Sequence, residues 1–291
     1  MSWYFTTRLS GMPYDSFDAR NELTLVDTAL RASLVRKLKE AKGSAIDSAG
    51  LKLFATHVLA NAASIVTFNY DDVLDEALRN VAEDTRDPAW HPDGGYGFYC
   101  RPSSVCVDDT PRQMNKTHSL VLKLHGSINW RSRLGVAPIR GPEAILHHEE
   151  WLRERVGAQQ PPLDRIESHL EPDPFVVPPV LVKSELALHP VLRVVWKLAH
   201  ERLLAARRVV FIGYSMPVTD LASRILFRET LVNRSELQIE VVSLAGDPVD
   251  KRRVENAYRS LFDGLDDSHF HFGGARAWIE NHVSMENLRV L

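Results

Sequence analysis

The stretch Ser64-Ile-Val-Thr-Phe-Asn-Tyr-Asp-Asp72 sets the pattern for the fold of this chain. It opens with β-prone apolar residues, which predict a short buried strand, and it ends abruptly in polar groups that suit a turn. A second stretch, Val121-Leu-Lys-Leu-His-Gly-Ser-Ile-Asn-Trp130, has the same organisation, with His125 directly after its apolar run. Parallel α/β sheets bind ligands at the carboxyl ends of their strands, so both stretches predict a functional site there.

Segments with helical and strand-like patterns alternate along the chain. Helices are predicted for residues 21–42, 48–62, 191–206, 221–232 and 249–262, and strands for 64–68, 120–124, 208–212 and 237–244. This alternation predicts an α/β fold with a doubly wound, mostly parallel, Rossmann-like sheet. We expect a single domain over residues 1–291, with a loop-rich insertion at 84–118 and a small helical insertion at 131–174.

Composition narrows the classes of function. Lysine and arginine number 35 against 38 aspartates and glutamates, a net charge of −3 that creates no global attraction for nucleic acid or anionic membrane. The two cysteines, Cys100 and Cys106, cannot build a four-cysteine zinc site or a disulfide framework. No apolar stretch approaches the roughly 20 residues that span a bilayer. We expect a cytoplasmic protein that by itself binds neither nucleic acid nor membrane.

The polar residues at the predicted strand ends suggest a reaction. Turns after successive parallel strands lie at one edge of a sheet, so Asn69, Asp71, His125, Ser215 and Asp247 are expected to converge. The Asn69 amide can hold a water or a hydroxyl, and His125, which titrates near neutrality, can accept its proton. This pair suits attack at a sugar carbon. A structural role is the alternative for each, and for Asp71 or Asp72 alone the role of helix cap or turn former is favoured.

Four segments of the chain resemble the sirtuin-like NAD-hydrolysing domains, many of which are bacterial defence proteins. The segments are Thr67-Phe-Asn-Tyr-Asp71, Lys123-Leu-His-Gly-Ser127, Pro178-Pro179 before a helix containing Trp196, and Gly213-Tyr-Ser-Met-Pro-Val-Thr-Asp220. They follow the order of the family and together cover roughly residues 50–260. By this resemblance Asn69 is the catalytic amide and His125 the catalytic histidine.

The resemblance also implies a substrate and a setting. NAD would be hydrolysed to nicotinamide and ADP-ribose, in anti-phage defence, by a homo-oligomer or together with a partner protein of the defence system. Protein-deacylating sirtuins carry a four-cysteine zinc module, so hydrolysis without a metal is expected here in place of deacylation. The residues implied in NAD binding are Thr67, Asp71, Gly126, Gly213, Ser215, Gly246 and Asp247.

One feature of the family does not occur in this sequence. The family begins with a strand and a Gly-Ala-Gly-x-Ser loop, whose exposed amides cradle the dinucleotide phosphates. That strand sits in the middle of a doubly wound sheet, so a core element is expected to be missing with it. Three interpretations stay open: the segment before Asp15 substitutes, translation starts upstream of Met1, or the chain is an inactive scaffold that binds partners or a nucleotide.

An esterase is a further alternative. Gly213-Tyr-Ser-Met-Pro217 approximates the Gly-x-Ser-x-Gly nucleophile elbow that follows a buried strand in α/β-hydrolases. Asp247 and then His269 or His271 follow Ser215 in the chain order of the hydrolase triad. Pro217, however, stands where the elbow has a glycine that allows close strand–helix packing, and this reading leaves the Asn69 segment without a role.

Overall fold

The structure is a computed structural model that describes residues 29, 32–38, 40–41, 48–83, 90, 92–98, 119–133, 144–146, 170–177 and 190–287. The chain divides into two compact units, Met1–Leu198 and Ala199–Leu291, where the sequence predicts a single domain. The segment before Asp15 lies outside the described residues. The expectation that the family's first strand is missing therefore stays a prediction. None of the helices within the described ranges has the length and apolar content that crossing a lipid bilayer requires.

The first unit contains short strands and helices in mixed order. Residues 32–38 are helical. The elements that follow are α1 (Ala49–Ala60), β1 (Ile65–Thr67), α2 (Val73–Glu83), α3 (Pro92–Gly95), β2 (Val121–Lys123), β3 (Gly126–Arg133), β4 (Ala144–Leu146) and β5 (Leu170–Val176). Helix α4 (Pro190–Ala205) begins in this unit and ends in the second.

Strands β1 and β2 form a parallel pair, as the two opening stretches predict. Ile65 lies opposite Val121, and Thr67 lies opposite Lys123. Both strands therefore end at the same edge, and the turns that carry Asn69 and His125 leave the pair side by side. The register follows from the sequence, because each strand ends where its β-prone apolar run gives way to polar and turn-forming residues.

The second sheet of the first unit corrects the predicted helical insertion. Strand β3 pairs antiparallel with β4 on one side and β5 on the other. The described residues within 131–174 are 131–133, 144–146 and 170–174, and all are strand, so the helical prediction is wrong for them. The backbone groups of β3 are paired by two segments distant in sequence, and such pairing overrides local propensity.

The described part of the predicted 84–118 insertion is core. Trp90, Tyr96 and Phe98 are buried, as is Trp130 of β3. Tyr96 and Phe98 meet the Trp130 ring edge-on, at centroid distances of 5.3 and 5.0 Å. Aromatic pairs at such distances add stability beyond the area they bury. These residues anchor the insertion to β3, and its remaining residues lie outside the described ranges.

The second unit is a run of parallel strands connected by helices. Its elements are β6 (Arg208–Ile212), α5 (Leu221–Leu231), β7 (Gln238–Val242), α6 (Pro248–Arg259), a 3₁₀ turn (Asp267–His269), β8 (Phe270–His271) and α7 (Gly274–Asn287). The strands lie in the order β6–β7–β8, all parallel. This confirms the predicted α/β, Rossmann-like fold. Strand β8 and helix α7 have no counterpart in the sequence prediction, since two residues give β8 no readable periodicity.

Candidate active site

Hydrogen bonds tie the turn that carries Asn69 to the turn that carries His125. The Leu124 N–H donates to the carbonyl of Thr67 at 3.0 Å, and the Ile128 N–H donates to the carbonyl of Tyr70 at 2.9 Å. The Ser127 hydroxyl donates to the same Tyr70 carbonyl at 3.2 Å. Because these bonds lie on both sides of His125 in the sequence, the two turns are fixed to each other.

A buried lysine, Lys123, is bonded to both turns. The ammonium of Lys123 lies 2.6 Å from Oδ2 of Asp75, and both side chains are sealed from solvent. The same ammonium donates to the Ser127 hydroxyl at 2.9 Å and to the backbone carbonyl of Asp71. Burial raises the pKa of the Asp75 carboxyl, and the adjacent ammonium opposes this. One cation thus connects β2, helix α2 and the two turns.

The hydroxyl of Tyr96 extends this polar network. It accepts from Nδ2 of Asn129 at 3.2 Å, and its presence beside Asp75 opposes the rise in the pKa of that carboxyl. Sequence reasoning did not assign a role to Lys123. A signal was nonetheless present, since a lysine within the apolar run 120–124 must find a counter-ion when that run is buried.

His125 is buried, with 4% of its surface exposed. Its ring contacts the rings of Phe68 and Tyr70, at centroid distances of 5.4 and 6.1 Å. These two residues flank Asn69, which is itself exposed. The imidazole of His125 therefore contacts the two residues that flank the exposed amide of Asn69.

Two of the predicted NAD-binding residues have local structural roles in these turns. The Thr67 hydroxyl accepts the N–H of Asn69 at 3.1 Å, which closes the turn after β1. The Asp71 carboxylate accepts the N–H of Val73 at 3.2 Å, at the start of α2. This is the cap or turn-forming role favoured for Asp71 when it is considered alone.

Gly126 adopts a conformation that requires glycine. Its φ is +83°, and a Cβ at this position would lie 2.2 Å from the carbonyl oxygen of Phe175 on β5. A side chain here would strain the backbone and displace β5 from β3.

We expect Gly126→Ala to lower the free energy of unfolding by at least about 1–3 kcal/mol, the usual cost of a strained φ, with the clash in addition. Urea unfolding followed by circular dichroism measures this. Gly50→Ala is the matched control, because Gly50 lies within helix α1 and an added Cβ meets only the Ser48 hydroxyl, at 3.8 Å. That variant is expected to be about 0.5–1 kcal/mol more stable than the wild type. Equal stability of the two variants would contradict the argument.

The other predicted NAD-binding residues follow strands β6 and β7 of the second unit. Gly213 has φ +68°, and no atom lies within 4 Å of a Cβ built at Gly213 or Gly246. Ser215 is exposed. The Asp247 carboxylate caps α6 by accepting the N–H groups of Val249 and Asp250 at 2.8 and 2.9 Å. The bonds from Asp250 and Val249 lower the pKa of Asp247. Convergence of this group with Asn69 and His125 stays a prediction.

The contacts of the second unit argue against the esterase alternative. Positive φ in the turn after β6 falls at Gly213 and Met216 and not at Ser215, the position that an elbow would strain. Nδ1 of His269 lies 2.9 Å from Asp266, and Nε2 of His271 lies 3.3 Å from Glu240. Both candidate histidines are thus paired with carboxylates other than Asp247, which serves as a cap.

Comparison with known proteins finds a family match that includes two of the four segments, Thr67–Asp71 and Lys123–Ser127. Residues 63–165, which include both turns of the candidate site, match a family described as SIR2-like domain. A solved structure described as "Structural Basis for the Mechanism and Regulation of Sir2 Enzymes" is similar at 12% identity, over 84% of this chain and 100% of that chain, with a TM-score of 0.33. Among curated proteins none matches the chain. The SIR2-like match confirms the predicted resemblance to sirtuin-like domains for residues 63–165.

Proposed function

We propose that this sirtuin-like chain binds NAD and hydrolyses it to nicotinamide and ADP-ribose. The SIR2-like domain supports NAD as the ligand. The observation that carries the proposal is the attachment of the Asn69 turn to the His125 turn at the carboxyl ends of two neighbouring parallel strands. That edge is where α/β sheets bind their ligands.

The proposed reaction breaks the bond between nicotinamide and the ribose. The bonding electron pair leaves with nicotinamide, and positive charge develops on the ribose in an oxocarbenium-like transition state. A water molecule then attacks the anomeric carbon and gives up a proton. The Asn69 amide, which both donates and accepts hydrogen bonds, orients this water or a ribose hydroxyl. An imidazole nitrogen of His125 accepts the proton, a role that typically accelerates a reaction about 10²–10⁴-fold.

The buried Lys123–Asp75 ion pair, which is bonded to both turns, suits this chemistry. Positioned reactants avoid the entropic cost of meeting, and small displacements of a catalytic group lose much of that gain. Lys123 bonds the backbone of the Asn69 turn through Asp71 and the His125 turn through Ser127. Its pairing with Asp75 leaves this cation little freedom to move. We assign to Lys123 the positioning of both groups.

Four of the NAD-binding residues of the proposal, Gly213, Ser215, Gly246 and Asp247, belong to the second unit. Gly213 and Gly246 leave their backbone open on the side where a Cβ would lie, which permits close approach of a phosphate. The Ser215 hydroxyl and the carboxylate of Asp247 can then bond ribose hydroxyls, since a carboxylate accepts more bonds than the two at the cap. From the resemblance to bacterial defence proteins we also propose that this reaction serves anti-phage defence, carried out by a homo-oligomer or with a partner protein of the system.

Incubation of the purified chain with NAD tests the proposal, with the products separated by chromatography. We expect nicotinamide and ADP-ribose in equal amounts. Asn69→Ala is expected to lower the rate about 100-fold or more, as loss of one oriented polar group typically does. Asn80→Ala, which removes an exposed asparagine of helix α2, is the control and should leave the rate unchanged.

Three outcomes would overturn the proposal. NAD binding without nicotinamide release would favour the inactive scaffold. Labelling of Ser215 by an active-serine probe, with ester hydrolysis, would favour the esterase. Nicotinamide release that is the same in Asn69→Ala and in the wild type would remove Asn69 from the mechanism.

A further inference from the structure

We infer that Glu240, His271 and His282 form a binding site for a divalent transition metal ion, best suited to Zn²⁺. One potential ligand atom from each residue lies within 4.8 Å of the other two. The three come from β7, β8 and α7, so the fold of the second unit brings them together. A composition with two cysteines excludes a four-cysteine zinc module, but it does not exclude a site built from histidine and carboxylate.

The distances fit a zinc ion. Ligands about 2.1 Å from a tetrahedral metal lie about 3.4 Å from one another. Nε2 of His271 and Oε2 of Glu240 are 3.3 Å apart, which already matches one edge of such a tetrahedron. The His282 ring lies 5.2 Å from the His271 ring, centroid to centroid. The three ligand atoms lie within 4.8 Å of one another, so side-chain movements of at most about 1.4 Å bring the widest separation to this edge length.

The orientation of His282 is that of a metal ligand. Its Nδ1 lies 3.0 Å from the backbone carbonyl of Trp278. A carbonyl only accepts hydrogen bonds, so Nδ1 carries the hydrogen and the lone pair of the neutral ring is on Nε2. Ligating histidines are commonly fixed in this way by a carbonyl. The Trp278 ring also stacks on the imidazole at 4.9 Å, which holds the plane of the ring.

Glu240 is likewise oriented by neighbours that leave one acceptor position for a metal. Its Oε1 accepts from Nε of Arg208 at 2.8 Å, and its Oε2 accepts from the Trp278 indole at 3.0 Å. Burial raises the pKa of this carboxyl, but the hydrogen bonds from Arg208 and Trp278 outweigh burial, so the net pKa is lowered. The second lone pair of Oε2 faces His271. A bound metal occupies that position, and any proton on Nε2 of His271 passes to solvent.

The site is separate from the proposed NAD chemistry. All three ligands are half-buried, and three protein ligands leave a fourth position that water can occupy. None of them belongs to the Asn69 and His125 turns or to the proposed NAD-binding residues. The metal site can therefore be tested separately, and failure of the proposed hydrolysis would leave this inference unaffected.

Titration of the full chain, freed of metal by a chelator and carrying no polyhistidine tag, tests the site. We expect one equivalent of Zn²⁺ to bind, measured by calorimetry. One equivalent of Co²⁺ should give the intense visible absorption of a four-coordinate ion. Copper(II), a paramagnetic ion, should quench the fluorescence of Trp278, which contacts both Glu240 and His282.

Variants separate a metal site from a purely structural ion-pair network. His271→Ala and His282→Ala are expected to weaken Zn²⁺ binding at least about 100-fold, since each removes a ligand. His269→Ala is the control, because His269 pairs with Asp266 outside the cluster, and it should bind like the wild type. Zn²⁺ should raise the melting temperature of the wild type and of His269→Ala but not of His282→Ala. Absent Co²⁺ absorption, or equal affinity in all variants, would overturn the inference.

Discussion

The His125→Ala protein is expected to lose NAD hydrolysis by about 100- to 10,000-fold. The imidazole is the only group in the two turns that the mechanism uses to accept the proton of the attacking water. Its ring contacts the rings of Phe68 and Tyr70, the residues on either side of the exposed Asn69. Steady-state rates of nicotinamide release measure the loss, and most of it should appear in kcat because binding of NAD does not depend on this proton transfer.

His57→Ala is the matched control for this experiment. His57 lies on helix α1 of the same unit, where its ring bonds the side chain of Asn61. It should hydrolyse NAD like the wild type. Because alanine leaves a cavity at the buried His125, a His125→Asn variant of closer volume shows whether lost activity reflects lost folding. Turnover unaffected by both His125→Ala and Asn69→Ala would rule out the mechanism.

The Lys123→Met protein is expected to lose about 3–5 kcal/mol of its free energy of unfolding, the usual cost of removing one partner of a buried ion pair. Methionine fills a similar volume, but it leaves the sealed Asp75 carboxyl without its cation. The Ser127 hydroxyl and the Asp71 carbonyl also lose their donor. Urea unfolding monitored by circular dichroism measures the loss.

Two further variants identify its cause. Lys52→Met, at an exposed position of helix α1, should change stability by no more than about 0.5 kcal/mol. The double variant Lys123→Met with Asp75→Leu should recover much of the loss, because a buried pair replaced as a whole by apolar groups costs little. Its NAD hydrolysis should stay impaired, since the two turns have lost their common donor. Wild-type stability of Lys123→Met would show that the ion pair does not support the turns.

Local sequence was sufficient for the elements with strong periodic patterns. The runs 64–68, 120–124, 208–212 and 237–244 became strands β1, β2, β6 and β7, and the intervening helices lie where their apolar spacing predicts. Local sequence patterns did not predict the strands whose pairing partners are distant along the chain. Strand β3 contains Ser127, Asn129 and Ser132, and its pairing with β4 and β5 depends on contacts that no local pattern records.

The sequence by itself determined that an amide and an imidazole follow two β-prone runs, because such runs and the polar residues that end them are local properties. Only the tertiary structure decided what holds those groups: the pairing of Lys123 with Asp75, and the bonds that tie one turn to the other. It also decided that Glu240, His271 and His282 meet, since their spacing carries no motif. Buried charges and ligand clusters depend on which distant segments come into contact, and packing of the folded chain alone sets that.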